Sequence, residues 1–253
     1  MRFFIEFSYN GKAYHGWQNQ PNAISVQEVL EKALSTILKT KISTMGAGRT
    51  DAGVHASQMF AHFDFEKKIE KTDLVYKLNS YLPKDIAVTT IFEVKPDAHA
   101  RFNALSRMYQ YKISTLKHVF DYDFAYQVHL PLNVDAMNAA CNILFEYKDF
   151  QCFSKSKTDV KTYNCDIKEA FWTQTSNGLI FTIKADRFLR NMVRAIVGTM
   201  IDIGLGKLKV EDLHQIMSSK NRSNAGFSVP AHGLYLVEIV YHENIKLVSG
   251  LID

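Results

Sequence analysis

Eight consecutive residues, Gly48-Arg49-Thr50-Asp51-Ala52-Gly53-Val54-His55, bring a guanidinium, a hydroxyl, a carboxylate and an imidazole together around two glycines. Glycines so closely spaced let the backbone turn sharply and approach a ligand. A carboxylate held there is presented rather than packed, and can serve as nucleophile or base, which makes Asp51 the candidate catalytic residue. The ordinary alternative is a turn in which Asp51 accepts backbone N–H bonds and Arg49 is a solvated charge, since Asp is among the commonest turn residues.

Two features elsewhere offer partners for such a carboxylate. The pattern predicts a helix over Phe188 to Ile203 that is apolar nearly all round, with Leu189, Met192, Val193, Ile196, Val197, Met200 and Ile201. It also carries Arg190 and Arg194, neighbours at i, i+4. A helix this apolar is expected to be buried, and a buried arginine requires an anion. Asp186 is the local option; a carboxylate across a cleft, or a phosphate, is the other. The second feature is Arg107-Met108-Tyr109-Gln110-Tyr111-Lys112. Side chains alternate on a strand, so Tyr109 and Tyr111 share a face. Taken alone they read as core tyrosines, but beside Arg101, Arg107 and Lys112 they fit the aromatic-and-cation pattern used on unstacked nucleotides. His55 and His62 stand seven residues apart, and a zinc site would need two more ligands at suitable spacing. No metal is expected, and His55 is read as a brace for the loop.

The elements that must hold these residues follow from periodicity. Arg2 to Tyr9 alternates, with Phe3, Ile5, Phe7 and Tyr9 on one face of a strand. Ser25-Val26-Gln27-Glu28 is a capping box opening a helix whose face is Val26, Val29, Leu30, Ala33, Leu34, Ile37 and Leu38. Strands follow near Ile42 to Met45 and along Met59, Ala61, Phe63 and Phe65, then a helix with Thr72 as N-cap, then a strand from Ile86 to Glu93. That order is β-α-β-β-α-β. The second half repeats it loosely: a strand over Arg107 to Thr115, a helix from Asn133 to Phe145, and a hairpin of Lys168 to Thr175 and Leu179 to Ala185 around Asn177-Gly178. The helix from Phe188, another over Val210 to Met217 and a strand from Leu234 to Tyr241 complete it. The expected fold is α+β: two similar halves with mostly antiparallel sheets flanking a central cleft, residues 1–98 carrying the Asp51 loop and 99–253 completing the cleft.

Bulk composition is permissive. At 253 residues, with 47% hydrophobic and 22% charged side chains, the chain is an ordinary globular protein, and a net charge of +4 allows a nucleic-acid partner without requiring one. Cys141, Cys152 and Cys165 are odd in number and form no C-x-x-C pair, so no disulfide framework or cysteine zinc site is indicated. No stretch approaches a membrane span, and the N-terminus lacks a signal-peptide core, so a reduced, cytoplasmic protein is expected.

The segment Gly46 to Ala56 resembles the active-site motif of the TruA family of tRNA pseudouridine synthases. Tyr9-Asn10-Gly11-Lys12-Ala13-Tyr14-His15-Gly16-Trp17-Gln18 is similar to the family's N-terminal block. His99-Ala100-Arg101-Phe102 and Arg107 to Tyr111 are similar to its central block, and Phe188 to Arg194 and Ala231 to Leu236 to its C-terminal ones. The likeness runs essentially full length and in order. Met108 stands where a second basic residue is common, and Gln151 to Asn164 departs from the pattern. The resemblance implies the pseudouridine synthase fold, with RRM/ferredoxin-like halves. It implies a homodimer that isomerises uridines 38, 39 and 40 of the tRNA anticodon stem-loop without cofactor or protein helper. It makes Asp51 catalytic, sets Tyr109 on the target base, gives Arg49 a part in extruding that base and pairs Arg190 with Asp51. Arg101, Lys155, Lys157 and Arg222 are candidates for phosphate contacts. Two other functions fit the residues: a non-catalytic RNA-binding module with RRM-like halves, which needs Tyr109 but not Asp51, and a nucleoside hydrolase-like enzyme that releases free base.

Overall fold

The computed structural model describes residues 1–155 and 160–247, so Lys157 lies outside the described residues. In chain order the elements are β1 (Arg2–Tyr9), α1 (Val26–Leu38), β2 (Met45–Gly46), β3 (His55–Asp64), α2 (Lys71–Tyr81), β4 (Ile86–Val94), β5 (Ala104–Ser114), β6 (Tyr126–Gln127), α3 (Val134–Leu144), β7 (Ile167–Thr175), β8 (Gly178–Ala185), α4 (Met192–Gly204), α5 (Asp212–Ser219) and β9 (Leu234–Tyr241). The described chain forms two compact units, one of Met1–Leu105 with the residues from Leu236 on, the other of Ser106–Tyr235. Each is α+β with a mostly antiparallel sheet, as the patterning led us to expect. No described helix is long and apolar enough to cross a membrane.

In the first unit the strand order is β4-β1-β3-β9, with β2 added to β3. Phe3, Ile5, Phe7 and Tyr9 are buried along β1, and α1 buries Val26, Leu30, Ala33 and Leu34. Phe4 breaks the simple alternation. It points to the opposite face and is fully buried there by ring contacts with Phe92, Tyr241 and His62, so β1 is covered on both sides. The Ser25 side chain caps α1 by accepting the Glu28 N–H at 3.1 Å. For α2 the N-cap is Glu70 rather than Thr72: the Leu74 N–H already donates to the Glu70 carbonyl at 3.0 Å, which draws Thr72 inside the first turn.

In the second unit β5, β8 and β7 run antiparallel in that order, with Tyr109 opposite Ile183 and Trp172 opposite Phe181. The β7–β8 turn differs by one residue from expectation. Thr175 pairs with Gly178, so Ser176 and Asn177 form the loop. Gly178 serves another purpose: a Cβ there would lie 1.9 Å from the Ile113 carbonyl oxygen, so glycine is what lets β5 approach. The Asn138 side chain fastens α3 to β7 by bonding both the N–H and the carbonyl of Trp172. α4 is buried on all sides, as its composition predicted, but it begins at Met192 and not at Phe188. Asn191 adopts a left-handed backbone, φ 68°, which a continuing helix forbids. Arg190 therefore precedes the helix.

Candidate active site

The loop from Gly46 to His55 is anchored from outside by a segment about forty residues earlier in the chain. Tyr9 OH and Thr50 Oγ1 share a hydrogen bond of 2.9 Å. The Gly11 N–H donates to His55 Nδ1 at 3.1 Å, the Gly53 N–H to the Tyr14 carbonyl at 3.2 Å, and the Trp17 N–H to the Thr50 carbonyl at 3.4 Å. Glycines make this approach possible. A Cβ on Gly11 would sit 2.0 Å from the Val54 carbonyl oxygen, and one on Gly16, at φ +87°, 2.2 Å from that of Thr50. Gly46 lies under the buried Trp17 indole, where a Cβ would come within 2.4 Å of Nε1. Tyr14 OH in turn bonds Asp85 Oδ1 at 2.7 Å, tying the clamp to the loop before β4. Burial and this bond push the Tyr14 phenol well above its usual range.

From the other side, α1 holds the entry to the loop. Glu31 Oε1 accepts the Thr44 N–H at 2.7 Å and Gln27 Nε2 donates to the Thr44 carbonyl. The Ala47 N–H reaches the Phe60 carbonyl on β3 at 2.8 Å. Within the loop Asp51 is half-buried, its carbonyl accepting the Val54 N–H at 3.2 Å to close a turn ending on Gly53 at φ +78°. Arg49 is exposed. Of the two glycines that bracket the charged residues, then, Gly53 is required by its backbone and Gly48 is not: a Cβ on Gly48 would meet nothing within 4 Å. His55 is buried, and because its Nδ1 accepts a backbone N–H the ring is neutral and braces the loop as expected. His62 does the same for the Ala100 N–H at 3.1 Å. Its burial, with His99 and Arg2 nearby, lowers its pKa to about 4.

The second unit carries the other two expected site residues. Tyr109 is only 9% exposed, its ring set edge-on to Phe188 with centroids 5.1 Å apart. Tyr111 is fully buried and donates its hydroxyl to the Pro230 carbonyl at 2.8 Å, which makes it a core residue. Arg107 donates to the Asp186 carbonyl, and Lys112 stands 4.1 Å over the Tyr235 ring. The expectation of a buried arginine pair on one helix face is corrected here. Arg190 is exposed in the turn before α4, its carbonyl accepting the Lys155 N–H at 3.0 Å. Arg194, one turn into α4, is half-buried and donates Nε to the Val229 carbonyl at 2.7 Å. Asp186 Oδ1 caps the backbone N–H groups of Asp166 and Arg187. Arg222, a phosphate candidate, instead spends its guanidinium on the carbonyls of Ala225 and Gly226 and on Ser228 Oγ, closing its own loop. The three cysteines are buried and free, their thiols pushed up to about 12 chiefly by burial.

Sequence reasoning missed the clamp itself. Resemblance marks Tyr9 to Trp17 without giving it a role, and its physical signal is five glycine or aromatic positions, Tyr9, Gly11, Tyr14, Gly16 and Trp17, whose partners lie far along the chain.

These two charged segments, with their supporting blocks, match a described family. A sequence model for tRNA pseudouridine synthases covers residues 6–103 and 143–242. The chain is 51% identical over 247 residues to tRNA pseudouridine synthase A of Parabacteroides distasonis, covering 96% of this chain and 97% of the relative. It is 52% identical over 246 residues to that of Bacteroides fragilis, with 96% and 98% covered. The Bacillus subtilis protein of the same name is 40% identical over 245 residues, with 95% and 99% covered. With both units matched and the likeness running nearly end to end, the chain belongs to the tRNA pseudouridine synthase family, isomerases that act on tRNA uridines.

Proposed function

We propose that this enzyme isomerises uridines 38, 39 and 40 of the tRNA anticodon stem-loop, with Asp51 as the catalytic carboxylate. The observation that carries this is the clamped loop: five backbone or ring contacts from Tyr9 to Trp17 hold the residues around Asp51, while the carboxylate sits half-buried in a turn. A group held in place before substrate arrives loses little entropy in reaching a reactive geometry.

Pseudouridine formation breaks the N1–C1′ bond, turns the uracil and rejoins it through C5, which gives up its hydrogen to solvent. Asp51 either attacks C1′ and displaces N1, or removes the C2′ proton to leave a glycal. Both routes use the Asp51 carboxylate, and Arg190 supplies the cation that pairs with it. Unstacking the target base costs on the order of a few kcal/mol. A stack on Tyr109 returns roughly 1–3 kcal/mol. The two are comparable, so Arg49, exposed beside Asp51, completes the extrusion by filling the vacated space. The first unit thus carries the catalytic carboxylate and the second the base-packing and charge-balancing residues. The working enzyme is a cytoplasmic homodimer whose affinity for tRNA comes mainly from phosphate contacts and falls with salt.

Tritium release from tRNA labelled at C5 of uridine tests the chemistry directly. The parent chain releases tritium and retains uracil on the RNA; Asp51→Asn binds tRNA but releases none. Undiminished release by Asp51→Asn would sink the assignment. Free uracil in the supernatant would make the enzyme a hydrolase.

A further inference from the structure

The turn from His99 to Asn103 in the first unit presents one aromatic ring to solvent on a rigid base. Phe102 is 76% exposed. Beneath it the backbone is pinned at almost every residue. The His99 N–H donates to Asn103 Oδ1 at 2.6 Å, and the Asn103 N–H returns to the His99 carbonyl at 3.0 Å. The N–H groups of Arg101 and Phe102 converge on His99 Nδ1 at 3.1 and 3.4 Å, and the Ala100 N–H meets His62 Nδ1. The His99 ring backs that of Phe102 with centroids 4.3 Å apart, and the Arg101 guanidinium carbon lies 5.8 Å from the Phe102 centroid.

A large apolar side chain on a floppy loop finds partial cover by moving. On a pinned turn it stays in water unless something covers it. Here the uncovered surface is one flat ring with an imidazole behind it and a cation at its side. That is the size and chemistry of a single stacked nucleobase with its phosphate, and too small and too polar at its border for the core of a protein interface. The contrast within the chain is Leu116 to Tyr122, where Leu116, Val119, Phe120 and Tyr122 are exposed together.

We propose that Phe102, assisted by Arg101, stacks on an unpaired base of the tRNA substrate other than the uridine being isomerised. The proposal rests on the reading that the chain acts on tRNA. Every base has a π-face, so the contact adds affinity and holds the RNA in register without reading sequence.

The test uses the full chain, an unmodified tRNA transcript, and the variants Phe102→Leu and Phe102→Trp. Trp17 and Trp172 are 3% and 4% exposed, so the substituted position carries the solvent-facing indole. Phe102→Leu raises KM about tenfold while kcat changes less than about twofold, and Phe102→Trp restores KM and loses indole fluorescence as tRNA binds. An unchanged KM in Phe102→Leu, or an unquenched indole with tRNA bound, overturns the proposal. So does a Phe102→Leu variant whose only change is a weakened homodimer in sedimentation. If the parent forms no pseudouridine, the catalytic reading falls, and the quench alone still decides whether a base stacks here.

Discussion

The Asp51 loop and the Arg190 turn both present a charged side chain, and they are held differently, one by a single remote segment and the other by several. Residues 46–55 are locked by a remote segment, through main-chain bonds and glycines that leave no room for a methyl group. The turn from Asp186 to Asn191 is fastened largely through side chains and by several separate segments: Asp186 Oδ1 caps Asp166 and Arg187, Arg107 donates to the Asp186 carbonyl, the Arg190 carbonyl accepts the Lys155 N–H, and Asn191 Nδ2 donates to Ser228 Oγ at 2.8 Å. For the roles we propose, a carboxylate acting on a bond needs close placement, whereas a cation balancing its charge acts over several ångströms.

Substitutions can break that comparison. The largest effect is expected from Asp51→Asn, a loss of about 10³-fold or more in tritium release with the melting temperature unchanged. Next comes Gly16→Ala, which places a Cβ 2.2 Å from a backbone oxygen at positive φ. Left-handed strain and overpacking together cost about 3–4 kcal/mol in urea denaturation, and activity falls with it. If this variant is as stable as the parent, the clamp is not what holds the loop.

Acid attacks another part of the first unit, the turn from His99 to Asn103. His62 and His99 are neutral acceptors in the folded chain, with His62 depressed to about 4 and His99 lowered, both mainly by burial. An unfolded imidazole protonates first, so the stability these rings contribute is intact above about pH 6.5 and is lost as pH falls toward 4. The shift at His62 corresponds to as much as about 3 kcal/mol. His62→Gln, which keeps an acceptor but cannot titrate, should flatten the urea midpoint between pH 6.5 and 4.

Arg190→Ala sharpens the contrast. Because Arg190 is exposed, stability should stay within about 0.5 kcal/mol of the parent. Activity should fall about a hundredfold, equivalent to about 2.7 kcal/mol of barrier. An equal loss of stability would mean that the turn depends on the side chain after all. The smallest effect is Gly48→Ala: with open space around its Cβ position, stability should change by less than about 0.5 kcal/mol. A higher KM in that folded variant would place RNA against Gly48.

Most elements were legible because their causes are local. Alternating apolar residues mark β1, β3 and β4, although β1 and β3 are buried on both faces over part of their length, and the Ser25 and Asn133 caps mark the starts of α1 and α3. The acidic residue between glycines was legible as a candidate, and resemblance gave it a role. The start of α4 was not. Apolar residues on both sides of Asn191 continue the helical period, and nothing in their types announces one left-handed residue between them.

By itself the sequence determined the order and type of most strands and helices and that Asp51 sits in a turn: short-range patterning and backbone preference suffice for these. Only the tertiary structure decided that Tyr9 to Trp17 grips the Asp51 loop, that Arg222 turns inward to carbonyls, and that Arg190 stands exposed ahead of its helix. Those outcomes depend on contacts between residues far apart in sequence, or on a single backbone angle selected by the packing around it. No local pattern encodes either one.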